Sequence, residues 1–312
     1  MPEKVLITGV AGFLGSRLAR RLVEQGHYEI AGLDNLSRGR EDSVPKGIRF
    51  IRADIRDPAS DSLFRDMDVV FHFAAKNCIS DCQADPAETA DINIVGTARV
   101  FEAAARAGVR KVVWADSSAV YEGTTVFPTP ESEEQPRSFY ALSKACGGRL
   151  ADAYRRYRGM TITGLRYFCV YGPGQDHRRS VPPVMSAFIL KLLRNERPVI
   201  FGTGGKRRDF IYVDDVNEFH LLCLTDARTD NRTFNLGAGR SYSIREVLDL
   251  VCGLLDKRAE PLYQPELPAE AEATLADITR ARELGWAPRT ELAEGLRRSI
   301  DFLRQEIASG RA

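Results

Sequence analysis

Apolar residues come in short dense runs along the first third of the chain, with every-third-or-fourth stripes between them. Val5 to Thr8, Tyr28 to Leu33, Ile48 to Ile51, Val69 to Phe73 and Val112 to Ala115 are the runs. They are nearly continuous and not alternating, as expected of strands covered on both faces. Gly15 to Gln25 carries Leu18, Leu22 and Val23 in line with Leu14 and stops at Gly26, which reads as an amphipathic helix. Longer helical stretches run over about Asp85 to Ala107, halted by Gly108, and over about Tyr140 to Arg158. Others cover Val181 to Leu193, entered through Pro182-Pro183, Ser243 to Leu255 and Glu291 to Leu303. Strands alternating with helices predict an α/β chain with a right-handed, parallel, doubly wound sheet. Ligands of such sheets lie beyond the carboxyl ends of the strands, where Ala74, Ser117 and Ser118 fall.

The first strand breaks at Gly9, and glycine recurs at Gly12 and Gly15 where the helix opens. Gly9 permits the sharp turn, Gly12 lacks the Cβ that would obstruct a pyrophosphate, and Gly15 lets helix and strand pack closely. The helix then aims unpaired N–H groups at an anion, and a dinucleotide pyrophosphate fits that place. Asp34 ends the second run, about 20 residues further on, where a carboxylate accepts hydrogen bonds from ribose hydroxyls. It would repel a 2′-phosphate, which favours NAD, while Arg38 and Arg40 keep NADP open as an alternative. Asp54, just past the third strand, is placed to reach an adenine edge or to cap a helix starting near Pro58. The small pair Ala74-Ala75 suits a backbone that approaches the cofactor closely.

Composition narrows the classes. The chain has 312 residues, 44% hydrophobic and 28% charged, with a net charge of +1. That balance gives no electrostatic case for nucleic acid or an anionic membrane. No apolar run approaches the length of a membrane span, and the opening Met-Pro-Glu-Lys runs straight into the first strand. Six cysteines without a C-x-x-C read as reduced thiols of a cytoplasmic protein, and no histidine has metal-ligand spacing with another. His72, inside an apolar run, reads as a satisfied buried histidine. Pro265 to Ala273 reads as a loop.

Tyr140 and Lys144 stand four apart, hence on one face of a helix. A phenol of pKa near 10 is a poor base at neutral pH, but a nearby ammonium and a cationic nicotinamide ring would lower that value. Tyr140 is then equipped to take the proton of an alcohol as hydride leaves its carbon, with Ser117 or Ser118 hydrogen-bonded to the same oxygen.

These features resemble the extended short-chain dehydrogenase/reductases of the NAD-dependent epimerase/dehydratase family, in layout nearest to UDP-glucose 4-epimerases. Gly9/Gly12/Gly15, Leu33-Asp-Asn-Leu36, Asp54-Ile55, His72-Phe-Ala-Ala75, Asn93-Ile-Val-Gly-Thr97, Ser117-Ser-Ala-Val-Tyr121 and Tyr140/Lys144 fall in family order. So do Arg166-Tyr-Phe, Tyr171-Gly-Pro-Gly-Gln175, Arg208 to Asp215 and Leu284-Gly-Trp286. The resemblance implies a Rossmann domain over 1–165, with parts of about 208–237 returning to it. A smaller α/β lobe for the nucleotide sugar would occupy 166–312. It extends the cofactor set to Phe13, Leu14, Asn35, Ile55, Lys144 and Tyr167 and implies a homodimer through the two long helices. Arg208, beside the Gly-Lys-Arg loop, would contact the sugar diphosphate, and Val181 would line the substrate site.

Several positions depart from the pattern. Ser118 and Ala119 replace the Asp-Glu pair of 4,6-dehydratases, Cys169 stands where Asn follows Arg-Tyr-Phe, and Glu122 where Gly follows Val-Tyr. Lys76-Asn77-Cys78 replaces a small polar run, and Glu272 occupies a place where a diphosphate-binding Arg is common. Elimination needs an added base and acid, and Lys76, Cys78, Glu122 and Cys169 would set new titratable groups by the sugar. This tilts the expectation towards dehydration of the UDP-GlcNAc 5,6-dehydratase type, as in tunicamycin biosynthesis, with the hydride returned to C4. A 4-epimerase is the standing alternative, and a non-catalytic NAD sensor on the same fold is a reading of another class.

Overall fold

The computed structural model describes residues 2–179, 181–267 and 270–312. Pro268 and Ala269, within the expected 265–273 loop, and Met1 of the opening tetrapeptide lie outside them.

The N-terminal part alternates as expected. Strand β1 (Glu3–Thr8) leads into helix α1 (Phe13–Gln25), which Gly26 closes in the left-handed conformation. Then come β2 (Tyr28–Asp34), β3 (Arg49–Arg52), a 3-10 segment at Pro58–Phe64 and β4 (Val69–His72). The stretch read as one long helix from Asp85 begins earlier and is broken. It consists of α2 (Ile79–Ala84), α3 (Pro86–Ala90), a π-helical turn at Asp91–Val95 and α4 (Gly96–Ala107). Asp85 interrupts it because its side chain accepts from Glu88 N–H, capping a new helix, and Pro86 cannot donate backward.

Strand β5 (Lys111–Ser117) and helix α5 (Phe139–Arg158) follow, then β6 (Ile162–Tyr167), β7 (Cys169–Tyr171) and α6 (Val184–Leu193). Helix α6 starts three residues later than the pattern suggests, since Pro182 and Pro183 hold the chain extended. The remainder is β8 (Val199–Phe201), β9 (Arg207–Tyr212), α7 (Val213–Thr225), β10 (Thr233–Leu236), β11 (Ser241–Ser243) and α8 (Ile244–Leu255). It ends with β12 (Leu262–Gln264), α9 (Thr279–Arg282) and α10 (Leu292–Ala308).

Seven strands form one parallel sheet in the order β10-β6-β5-β4-β1-β2-β3. The order reverses between β1 and β4, which is where a doubly wound sheet opens a ligand crevice. Alternate residues feed opposite faces. Val5, Ile7, Phe71 and Val113 pack with Leu18, Leu22, Phe219 and Trp286, while Leu6, Val70, Val112 and Trp114 pack with Phe101, Ala104 and Ala151. Each large side chain so buried contributes about 1.5–3 kcal/mol. A separate core of Phe188, Ile189, Phe210, Tyr212, Val247, Leu248 and Leu296 backs the small β11-β9-β7 sheet. His72 is the satisfied histidine expected, with Nδ1 on Thr8 Oγ1 (2.8 Å) and Nε2 on Thr97 Oγ1 (3.1 Å). Among the described residues no helix is long and apolar enough to cross a membrane.

Candidate active site

A cleft of about 1210 Å³ runs along the carboxyl ends of β1, β2, β4 and β5 and continues under α6. At its floor Gly9 sits at φ +74°, and a Cβ there would lie 2.7 Å from Ala74 N. A Cβ on Gly15 would lie 2.3 Å from Gly9 O, so strand and helix meet in backbone contact. No side chain caps α1 at Gly12, which leaves its first N–H groups facing the cleft. Ala74, Ala75, Phe13, Leu14 and Ile55 wall this region.

Asp34 is buried at the end of β2, its two oxygens accepting from Ala11 N–H (3.0 Å) and Leu36 N–H (2.8 Å). Burial holds its carboxyl above the ordinary value, and those two bonds oppose the rise. Arg38 and Arg40, the residues that kept NADP open, are matched by carboxylates: Arg38 donates to Asp81 (2.7 Å), and Arg40 pairs with Asp42 and Glu306. Asp54 does not cap the helix at Pro58; Asp57 does, accepting from Ala59 N–H. Asp54 instead binds Arg56 (2.8 Å) and Asn35 Nδ2 (2.9 Å), which hold its carboxyl well below the usual range. The glycine cradle, open helix end and ribose-facing carboxylate together fit a dinucleotide without a 2′-phosphate.

The reactive end is built by β5 and α5. Ser138 caps α5, accepting from Ala141 N–H at 3.0 Å, and this sets the first turn in which Tyr140 stands. Ser117, at the end of β5, hydrogen-bonds the Tyr140 phenol. Ser117 itself is held by its own N–H, which donates to Asp116 Oδ1 (2.8 Å). Asp116 is buried against Arg166 (2.8 Å), whose guanidinium also donates to Tyr121 Oη and to Glu131 O. Lys144 shares the helix face, with Nζ 5.9 Å from the Tyr140 ring centroid, but it donates to Ala115 O at 2.7 Å. Burial lowers the Lys144 ammonium to about 8, and Asp116 opposes that shift.

The expected lowering of the phenol is not met by the protein's own groups. Burial pushes Tyr140 up to about 12, outweighing the Ser117 hydrogen bond and the positive charge of Arg179. Lys144 directs one N–H to Ala115 O on strand β5, and among the described residues no hydrogen bond joins it to the phenol.

Of the residues expected to act on or bind cofactor and substrate, all except Lys144 line the cleft, but several are already engaged. Both Glu122 oxygens are taken: Oε2 accepts from Ser138 N–H (2.7 Å) and Arg137 N–H (3.1 Å), and Oε1 accepts from Ser138 Oγ (2.8 Å). Glu122 thus ties down the loop ahead of α5 in this structure and is not a loose acid. Lys76 Nζ pairs with Glu88 (2.6 Å), and its backbone is clamped by Asn93, whose Nδ2 also donates to Ser143 Oγ. Cys78 Sγ lies 3.1 Å from Ser80 Oγ. Burial raises the Cys169 thiol to about 11, and Arg208 opposes this. The Tyr167 hydroxyl is taken by His220 Nε2 at 2.8 Å. Arg208 lies 3.6 Å from Glu270, and Val181 and Ser118 complete the wall. Glu272 is not in the cleft: its exposed side chain lies near Lys206, and Leu267, Glu270 and Thr274 face the cleft from that segment.

Sequence reading misses His177 and Arg179 as cleft residues and marks Gln175 only as part of a family motif, without a role. Arg179 was legible only as part of a charged run, Asp176-His-Arg-Arg179, after the glycine turn at Gly172 to Gly174.

The model of the NAD dependent epimerase/dehydratase family matches residues 5–237. A UDP-glucose 4-epimerase of Mycolicibacterium smegmatis is 36% identical over 97% of this chain and 99% of its own length. The crystal structure of UDP-glucose 4-epimerase from Thermotoga maritima with UDP-glucose superposes with a TM-score of 0.94 at 33% identity, covering 97% of this chain and 99% of that one. The Thermus thermophilus UDP-glucose 4-epimerase complex with NAD gives 0.90 at 32% identity, covering 96% and 99%.

Proposed function

This chain belongs to the NAD-dependent epimerase/dehydratase family, and from that premise we propose that it inverts C4 of a UDP-hexose by transient oxidation. The observation that carries the reading is the convergence of the Tyr140 phenol and Ser117 hydroxyl, with the buried Lys144 ammonium behind them, in the cleft that holds the glycine turn. Asp34 would hold the adenosine ribose, the open end of α1 the pyrophosphate, and Asn35, Asp54 and Ile55 the adenine side. Bound NAD supplies an acceptor and then a donor of the C4 hydride. Tyr140 takes the C4 hydroxyl proton and returns it after the keto sugar has presented its other face, with Ser117 bonded to the same oxygen throughout. Lys144 keeps a positive charge beneath the phenol, and Arg208 meets the diphosphate.

Dehydration, which the departures favoured, finds less support. It needs a free base for C5–H and a free acid for the leaving hydroxyl, whereas Glu122 is spent on Ser138 and Lys76 on Glu88. Incubation with UDP-glucose, UDP-glucuronate and UDP-GlcNAc in D₂O, read by mass and NMR, tests the choice. An isobaric product inverted at C4 is expected; loss of 18 mass units (one water, a difference of roughly that size for any hydroxyl elimination) would restore the dehydratase. Retained NAD with no turnover of any sugar nucleotide would restore the sensor. We also propose a homodimer through α5 and the helical stretch that ends in α4, where Val95 of the π-helical turn and Phe139 and Leu142 of α5 are exposed; light scattering after size exclusion reads it.

A further inference from the structure

The chain between β7 and α6 crosses the cofactor half of the cleft. A Cβ on Gly174 would lie 3.8 Å from the ring of Phe13, the first residue of α1. Arg178 Nη2 donates to Arg38 O, in the loop after β2, at 3.5 Å. Arg179 Nη1 lies 3.4 Å from Asn77 Oδ1, in the loop after β4. These contacts fall beyond the ends of β1, β2 and β4, around the point where the sheet order reverses. The segment therefore roofs the crevice that the open end of α1 faces. Gln175 anchors the roof, its Nε2 donating to Val170 O (2.8 Å) and its Oε1 accepting from Ser186 Oγ (3.0 Å).

A dinucleotide brings a dianionic pyrophosphate to that crevice. A helix end offers it only about half a positive charge, and the turn from Gly9 to Gly15 carries no lysine or arginine. Cations beside the crevice are committed elsewhere. Arg17 pairs with Asp214 at 2.6 Å, Arg38 with Asp81 at 2.7 Å, Lys76 with Glu88 at 2.6 Å and Arg178 with Asp176 at 3.2 Å. Arg179 differs. It lines the cleft, its Nε is buried without a partner, its Asn77 neighbour is neutral, and among the described residues it forms no ion pair. Two residues earlier, the ring nitrogens of His177 are also buried with no hydrogen bond to either. A guanidinium left in that state is costly until an anion reaches it, and its fork matches the oxygens of a phosphate.

We propose that Arg179 reaches from this roof to the cofactor pyrophosphate and supplies the positive charge that the glycine turn lacks. A residue from the part of the chain expected to hold the sugar would then help to hold NAD. The assignment goes beyond the C4-inversion reading and is the same whichever reaction the cofactor serves. The sugar diphosphate is the competing anion, and the test separates the two.

Equilibrium binding of NAD, NADH, ADP-ribose and adenosine is measured on the nucleotide-free full chain, as wild type, Arg179→Gln and Arg179→Lys. ADP-ribose keeps the pyrophosphate without the nicotinamide, and adenosine has neither. In Arg179→Gln the affinities for NAD, NADH and ADP-ribose are expected to fall alike, by about 10- to 100-fold, as for one lost charge-assisted contact. Adenosine should bind as before, which also shows an intact fold and Asp34 end. Arg179→Lys should recover part of the loss, as a point charge without the fork. UDP should bind the NAD-saturated variants as it binds the NAD-saturated wild type. An ADP-ribose affinity that survives Arg179→Gln overturns the proposal. So does a loss confined to NAD and NADH, which would set Arg179 at the nicotinamide, one shared equally by adenosine, or one seen with UDP instead, which would give Arg179 to the sugar diphosphate. No arm involves turnover, so a protein that fails to invert C4 leaves this assignment standing, and a failed assignment leaves C4 inversion untouched.

Discussion

Removing the Glu122 carboxylate separates a structural brace from a catalytic acid. It accepts three hydrogen bonds, two from the fully buried Ser138 and one from the exposed Arg137 backbone. Bonds to an ionised acceptor are worth about 1.5–3 kcal/mol each. In Glu122→Ala the two Ser138 donors lose their partner where water cannot replace it, while Arg137 N–H recovers solvent. The expected cost is about 3–5 kcal/mol. With an unfolding entropy of about 2.1 cal/mol/K per residue, that is a fall of roughly 6 °C in Tm. Glu122→Gln keeps one carbonyl oxygen for the two backbone N–H groups and should cost only about 1 kcal/mol. Its kcat should stay within about threefold of wild type, since proton transfer by a positioned acid would be worth 10²–10⁴. Scanning calorimetry with steady-state rates on the same preparations reads both quantities. An unchanged Tm in Glu122→Gln together with a 100-fold loss of kcat would refute the brace and return Glu122 to the chemistry of a leaving hydroxyl.

Tyr140→Phe should lower kcat by about 10³-fold or more with NAD binding retained, measured by single-turnover rates and cofactor titration; a loss below about tenfold would move the proton transfer elsewhere. Arg166→Met leaves Asp116 charged and buried beside Ser117, so urea unfolding should show about 3–5 kcal/mol of destabilisation; a cost under about 1 kcal/mol would mean that Asp116 is not held charged by this pair. Lys144 has a folded-state value near 8, below its unfolded one, so between that value and the ordinary lysine range the unfolded chain binds more protons. The stability of wild type relative to Lys144→Met should therefore rise with pH across this window, by at most about 3 kcal/mol, and level off below it; a relative stability that falls as pH rises would contradict the buried ammonium.

Local pattern was enough for much of this protein. The runs at Val5, Tyr28, Val69 and Val112 are strands because a sheet covered on both faces demands unbroken apolar character, and the glycine turn reads from backbone sterics alone. Tyr140 and Lys144 share a face by helical periodicity, and Asp34 lies a strand's length beyond the first helix. The nature of the cofactor follows from those short-range facts. Strand β6 is harder to see, because Gly164 and Arg166 interrupt its apolar run; Arg166 is tolerated in a strand interior because Asp116 on the neighbouring strand and Glu134 neutralise it.

What partners reach each charged side chain lay beyond the reach of the sequence. Glu122 looks like a new acid beside the sugar until Ser138, sixteen residues on, is seen to consume it. Lys144 looks like the phenol's neighbour until it is seen to donate to Ala115 O on β5, and burial, a property of the whole fold, sends Tyr140 up instead of down. Arg179 is one cation among many in a charged run, and only the fold shows that it lines the cleft with no carboxylate paired to it among the described residues. Backbone shape is written within a few residues of itself, whereas the charge state and freedom of a side chain depend on groups brought together from distant parts of the chain.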